Sequence, residues 1–320
     1  MLVDMPLAQL REYRYPRPAP PGLRGFWDET LAAARAAAGD VVAEPLAHPL
    51  RTVTVHDVAF PGFGGEPVRG WWLLPPEPEG VVVEYLGYGG GRGLPHERIL
   101  WASHGYAHLV VDSRGQGSIW NTGDTPDPHG SGSATPGMLA RGIDAPETLY
   151  YRRLLADAVM AVDAVAHLPG AAGQPVAVVG HSQGGAMALA AAALHDGVAA
   201  AFARTPYLCG IARSVEVTDA QPYAELAGYL ATHRDRAEAA LTVLDHVDIA
   251  HLAPWITCPT MVTVGLGDLI CPPSGVFAAI NAMDPPPEVV TWPYNGHEGG
   301  GAHDDARLAV WLDHHLRGDS

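Results

Sequence analysis

The sequence predicts an α/β protein: one domain, residues 1–320, on a mainly parallel sheet of about eight strands with helices on both faces. Three observations carry this. Short apolar runs recur from residue 51 to residue 292, and from residue 81 on they alternate with helical patterns. The 320 residues, 48% hydrophobic with eight tryptophans, also suffice for one large core.

The elements follow in order. Residues 1–50, rich in Pro and Arg over the first 30, read as an N-terminal segment wrapping the surface. The runs 51-RTVTVHDVAF-60 and 68-VRGWWLL-74 flank the Gly/Pro turn 61-PGFGGEP-67 and predict an antiparallel pair at the front edge. Further strand runs are 81-VVVEYL-86, 106-YAHLVVD-112, 176-VAVV-179, 198-VAAAFA-203, 260-TMVTVG-265 and 288-EVVTW-292. Helical patterns cover 95–105, 147–168, 183–196 and 302–316; in the second, Leu154, Leu155, Val159, Val162 and Ala166 form an apolar stripe. Residues 209–250, polar and helical, interrupt the rhythm and predict an insertion over the sheet end or an oligomer contact. The turn-rich loop 121–137 is long enough to suggest a functional or mobile segment. There is no internal repeat.

Bulk properties narrow the function. A formal charge of −16 argues against nucleic acid and anionic membranes as partners. Three cysteines without a CxxC pair read as reduced thiols of a cytoplasmic protein. The first residues lack the apolar core of a signal peptide, and no run approaches the ~18 apolar residues of a membrane span.

The chemistry centres on 180-GHSQGG-185. A strand runs straight into Gly180-His181-Ser182-Gln183-Gly184 and a helix follows at once, the context a nucleophile elbow requires in the α/β-hydrolase fold. The serine must stand on a strained turn, and glycines keep the crowded approach clear. The Gln183 N–H, at the helix start, lies where an oxyanion would form. Such a serine needs an acid and then a histidine, in that chain order. Asp268 follows strand 260–265, and His297 lies in 293-PYNGHEGG-300 after strand 288–292. The second oxyanion amide is expected in 85-YLGYGGGRG-93, at Tyr88. That loop loosely resembles a dinucleotide-binding turn, but its glycine spacing is poor and the acidic partner expected at the next strand end is not convincing. In 112-DSRGQGSIW-120, Arg114 could shape the site through its planar fork. A metal site at His297, Glu298 and His303 lacks a supporting ligand cluster.

These residues resemble the acetyl xylan esterases and cephalosporin C deacetylases of carbohydrate esterase family seven. The elements are Arg114-Gly115-Gln116, Gly180-His181-Ser182-Gln183-Gly184 and His297-Glu298, in order, with 87-GYGGG-91, 137-GMLARGIDAPETLYYRRLLADAV-159, 264-VGLGDLICPPS-274 and 294-YNGHEGG-300. The resemblance covers about residue 50 to the end. It implies a Ser182–His297–Asp268 triad, an oxyanion hole from the Tyr88 and Gln183 amides, and site-shaping by Arg114, Gly115, Gln116 and Glu298. It also implies short acyl esters as substrates, no metal or organic cofactor, an intracellular setting and a hexameric ring. One position departs from the pattern: residue 181 is His, where a small residue is expected.

The reading is therefore a serine esterase that deacetylates acetylated sugars, short xylo-oligosaccharides and cephalosporin C. Its rivals are a peptidase of the same fold and a non-catalytic hydrolase-fold scaffold. Loops 117–137 and 207–230 set the pocket width, with Trp120, Tyr207 and Pro222 as candidate walls.

Overall fold

The computed structural model describes residues 3–129 and 137–317. Its elements, in order, are α1 (Leu7–Glu12), α2 (Leu23–Ala36), β1 (Val42–Leu46), β2 (Thr54–Pro61), β3 (Pro67–Leu74), β4 (Val81–Tyr85), α3 (Leu100–Ser103), β5 (Ala107–Val111), α4 (Tyr150–Val165), β6 (Val176–His181), α5 (Gln183–Leu194) and β7 (Val198–Arg204). Then come α6 (Ile211–Val217), α7 (Tyr223–Thr232), α8 (Ala237–Leu244), α9 (Ile249–Leu252), β8 (Thr260–Gly265), α10 (Pro273–Ile280), β9 (Glu288–Trp292) and α11 (Ala302–Leu312).

The sheet has nine strands in the order β1-β2-β3-β5-β4-β6-β7-β8-β9. Pairs from β5 through β4 to β9 are parallel, whereas β1–β2, β2–β3 and β3–β5 are antiparallel. The eight expected strands are all present, and the front pair is the β2–β3 hairpin. The ninth, β1, was not expected. Its sequence VAEPL is almost wholly exposed and holds a proline, so it lacks both alternation and an apolar run. An edge strand tolerates this because one side of it pairs with nothing.

The central strands are buried on both faces, which is why they read as continuous apolar runs. Within β4, Val81, Val83 and Tyr85 join the main core with α4 and α5, while Val82 joins a second cluster with Trp101, Phe202, Leu308 and Leu312. Helix α5 lies inside the main core, with all of its residues buried. In α4 the apolar stripe is present, but Ala166 falls past the helix end and is exposed.

The N-terminal segment is more ordered than a wrap. Leu10 and Trp27 are fully buried, Trp27 Nε1 donates to the His246 carbonyl (3.0 Å), and Arg17 pairs with Asp245 at 2.8 Å. Helix α2 shows the helical stripe Leu23, Trp27, Leu31, Ala34. The expected insertion at 209–250 is present as α6 to α9, which run from residue 211 to residue 252 between β7 and β8, and α7 reaches the sheet end over the β4–β6 crevice. The part of loop 121–137 from 130 to 136 lies outside the described residues.

The connection from β4 leads to β5 on one side, and the next strand, β6, returns to the other side of β4. The carboxyl ends of β4 and β6 therefore flank a switch point in strand order, where open α/β sheets form a crevice.

Candidate active site

Ser182 stands at that crevice, between β6 and α5, with φ 58° and ψ −119°. A non-glycine residue there is strained. The backbone around it holds the strain: Ser182 N–H donates to the Arg204 carbonyl (2.9 Å), and its own carbonyl accepts from Ala186 (3.1 Å) and Tyr207 (2.9 Å). The flanking glycines are required by space. A Cβ on Gly180 would run into the Gly184 backbone, and one on Gly184 into the Tyr85 carbonyl.

Asp268, fully buried, follows β8. Its Oδ1 accepts from the Ile270 (2.7 Å) and Cys271 (2.9 Å) amides, which aims Oδ2 at the His297 ring. His297 Nδ1 lies 2.9 Å from that Oδ2. With Nδ1 so engaged, Nε2 is the ring nitrogen left for chemistry. The loops carrying the two residues are tied together, since Leu266 and Gly267 N–H donate to the Trp292 and Asn295 carbonyls at 2.9 and 2.8 Å. Ser182 and His297 line one cavity of about 600 Å³, with Tyr88, Trp120, Ile119, Pro222, Glu225 and Ile270 among its walls.

Tyr88 lies on the turn after β4. Its carbonyl accepts from Trp120 Nε1 (2.8 Å), and its hydroxyl donates to Glu225 (2.8 Å) and accepts from Met138 N–H (2.9 Å). Its phenol is thereby held well above its ordinary range, first by burial and then by the Glu225 carboxylate. Gln183 opens α5, where first-turn N–H groups have no partner within the helix.

The Arg-Gly-Gln element divides its work. Arg114 does not line the cavity. It is fully buried and forms a fork on Asp157 of α4, with a further bond to Glu66 (2.6 Å) beside the hairpin turn. Gly115, at φ +64°, makes the turn and donates to the Thr125 carbonyl (2.8 Å). Gln116 reaches the site: its Oε1 accepts from Gly89 N–H (2.6 Å), and its Nε2 donates to Tyr150 (2.7 Å) and to Gln183 Oε1 (2.9 Å). Upstream, buried Asp112 accepts the amides of Arg92, Ser113, Asp124 and Thr125 and so anchors this loop. Glu298 is exposed and braces the His297 turn from outside, accepting from Asn295 Nδ2 (2.9 Å).

Of the candidate walls, Trp120 and Pro222 line the cavity. Tyr207 instead lies fully buried behind Tyr88, ring centroids 6.5 Å apart. Two residues escaped the sequence reading. Glu225 arrives from the insertion, and no local pattern signals its approach. Cys271 sits beside Asp268 and His297. Burial pushes its thiol well above the usual range, Asp268 adds to this, and the Ser182 hydroxyl acts in the opposite sense. Its nearness to Asp268 in 268-DLIC-271 was the available signal. Among the described residues, the metal-capable donors that converge are Asp268, Cys271 and His297, within 4.8 Å of one another; Glu298 and His303 do not join them.

A strained serine between a central strand and a buried helix, on a largely parallel sheet, defines an α/β-hydrolase. Acylaminoacyl peptidase from Pyrococcus horikoshii shares this fold at a TM-score of 0.61 and 16% identity, over 85% of this chain and 43% of the peptidase. The chain belongs to the acetyl xylan esterase (AXE1) family, whose model matches residues 1–315, a family of carboxylic ester hydrolases. Acetyl xylan esterase from Paenibacillus sp. R4 is 33% identical at a TM-score of 0.90, covering 98% of this chain and all of its own. Acetyl xylan esterase 1 from Thermoanaerobacterium sp. JW/SL YS485 is 26% identical at a TM-score of 0.89, covering 97% of this chain and 99% of its own. Acetyl esterase Axe7A of Xylanibacter ruminicola is 30% identical over 172 residues, 50% of this chain and 36% of that protein. The chain thus matches about a third of that curated relative's length.

Proposed function

We propose that the protein is a serine esterase that removes acetyl groups from acetylated xylo-oligosaccharides and related sugars, with cephalosporin C within its reach. The observation that carries this is the 2.9 Å bond from buried Asp268 to His297, which lines the same cavity as strained Ser182.

Ser182 Oγ attacks the ester carbonyl while His297 Nε2 takes its proton. Asp268, through Nδ1, holds the ring in the required tautomer and stabilises the imidazolium. The Tyr88 and Gln183 amides receive the oxyanion, each donor supporting roughly 3–4 kcal/mol of the transition state. As the intermediate collapses, the C–O bond breaks and His297 returns the proton to the departing sugar hydroxyl. Water, deprotonated by His297, then attacks the acetyl-Ser182 carbonyl and releases acetate and the free serine. Arg114 and Gly115 support this site through the fold, Gln116 through direct bonds to both oxyanion loops, and Glu298 through the base's turn.

Acetyl preference is supported by three of the proteins named above, two acetyl xylan esterases and one acetyl esterase, and by Trp120 in the cavity wall, an indole face of the kind sugars stack upon. A homohexamer within the cytoplasm completes the proposal. The test is an acyl series from acetyl to octanoyl esters beside acetylated xylobiose, cephalosporin C and a prolyl amide. Falling kcat/KM beyond short acyl chains, with deacetylation of xylobiose, is expected. Preference for octanoyl ester or for the amide would contradict it.

A further inference from the structure

Residue 181, the one departure within the elbow motif, makes contacts that the triad does not account for. We propose that His181 is a positioning residue for the catalytic base: its Nε2–H holds the main chain of His297 while Asp268 holds the side chain, a role that rests on His297 being the base.

The geometry is direct. His181 Nε2 lies 2.7 Å from the His297 carbonyl oxygen. A carbonyl only accepts, so Nε2 carries the proton and the neutral ring leaves Nδ1 bare. The ring packs on the His297 ring, centroids 4.7 Å apart and planes 39° from parallel. A second donor, Thr205 Oγ1, reaches the same carbonyl at 3.1 Å. Thr205 follows β7 at φ 40°, fixed by its N–H on the Thr263 carbonyl (2.8 Å). The base is therefore gripped from the ends of two neighbouring strands, β6 and β7, while the acid arrives from a third, β8.

The loop needs that grip. His297 lies among Gly296, Gly299 and Gly300; its turn is tied at Asn295 to Gly267, at Gly300 to buried Asp304 and outward to exposed Glu298, but none of these bonds holds the His297 carbonyl. Glycine-rich backbone is permissive, whereas general-base catalysis requires the ring within a fraction of an ångström of its productive place. A small residue at 181 would leave Thr205 as the only side-chain donor on this carbonyl among the described residues. The donor state of His181 is secure: burial, then the neighbouring His297, lowers its pKa to about 4, so it stays neutral where the esterase would operate.

The test compares His181→Phe, which keeps a ring without the donor, His181→Ala, which removes both, and His181→Gln, which restores an N–H at similar reach. Hydrolysis of p-nitrophenyl acetate separates kcat from KM, and thermal unfolding reports folding. H181F and H181A should lose about 10–100-fold in kcat with KM within roughly threefold of wild type, since a misplacement near 1 Å costs on that order. H181Q should stay within about fivefold. Wild-type kcat in H181F or H181A, or an H181Q as impaired as they are, overturns the proposal. Should H181F fail to fold, H181A and H181Q decide on the same criteria. Ser182→Ala and His297→Ala run in parallel: activity in those variants would sink the triad, whereas inert triad variants with unaffected His181 variants would sink only the positioning role.

Discussion

Gln116 and Gln183 hydrogen-bond each other through their side-chain amides, Nε2 to Oε1 at 2.9 Å. Gln183 follows Ser182, and Gln116 also accepts from Gly89 on the turn that carries Tyr88. The pair joins the two loops proposed to supply the oxyanion amides, and buried Tyr150 and Tyr151 complete the network. Two separated sequence elements are thus halves of one brace.

Gln116→Leu breaks that brace. It leaves the Gly89 amide and the Gln183 side chain short of partners, a loss of about 1–3 kcal/mol in stability. The larger effect is on chemistry: kcat for p-nitrophenyl acetate should fall about 10–100-fold with little change in KM, because the loosened donors act in the transition state. Urea unfolding and steady-state kinetics check both. Unchanged kcat would show that the oxyanion loops hold without it.

Arg114→Ala should act on the fold instead. It strands buried Asp157 beside Glu66 and should cost about 3–5 kcal/mol. Enzyme that remains folded should keep a wild-type KM. A kcat loss at unchanged stability would place Arg114 in the chemistry rather than behind it.

Cys271 is predicted to be inert despite its position. Burial and the Asp268 charge keep it protonated at neutral pH, and the thiol form is the poor nucleophile. Iodoacetamide at pH 7 should leave activity intact over an hour, and Cys271→Ala should keep kcat within roughly fivefold because no step uses the sulfur. Rapid inactivation that Cys271→Ala prevents would contradict this.

His181 makes the fold acid-sensitive in one window. Its pKa falls from an ordinary 6.5 to about 4 on folding. Between those values the unfolded chain binds the extra proton, so stability contributed by neutral His181 is full above pH 6.5 and is lost as pH falls to 4. The contribution is at most about 3 kcal/mol. H181Q, which cannot titrate, should show a smaller drop in Tm across that range than wild type. An identical drop would assign the acid sensitivity to other groups.

Where a strand is buried on both faces, its sequence says so: the valine-rich runs of β4, β5, β6 and β8 needed no tertiary knowledge. The loops carrying Ser182 and Asp268 were legible because each follows such a run at its carboxyl end, and the His297 loop because it follows the half-buried edge strand β9. β1 left no trace, since an exposed edge strand has no core face to pattern. Helix α2 did carry a helical stripe, Leu23 to Ala34, that the Pro/Arg-rich composition around it masked. Glu225 and Tyr207 could not be placed, because their positions depend on how α6 to α9 settle over the crevice, and no local propensity encodes that packing. Gln116 was assigned only a site-shaping role, since its two loops meet through the strand order and not through adjacency in the chain.

The central claim is that Ser182 is the nucleophile of an acetyl esterase. Its most direct test is the turnover of p-nitrophenyl acetate by Ser182→Ala, with circular dichroism and Tm matching wild type. The claim predicts a fall of roughly 10⁴–10⁶-fold in kcat, the loss expected when a triad nucleophile is removed. Turnover near the wild-type rate in that folded variant would contradict it.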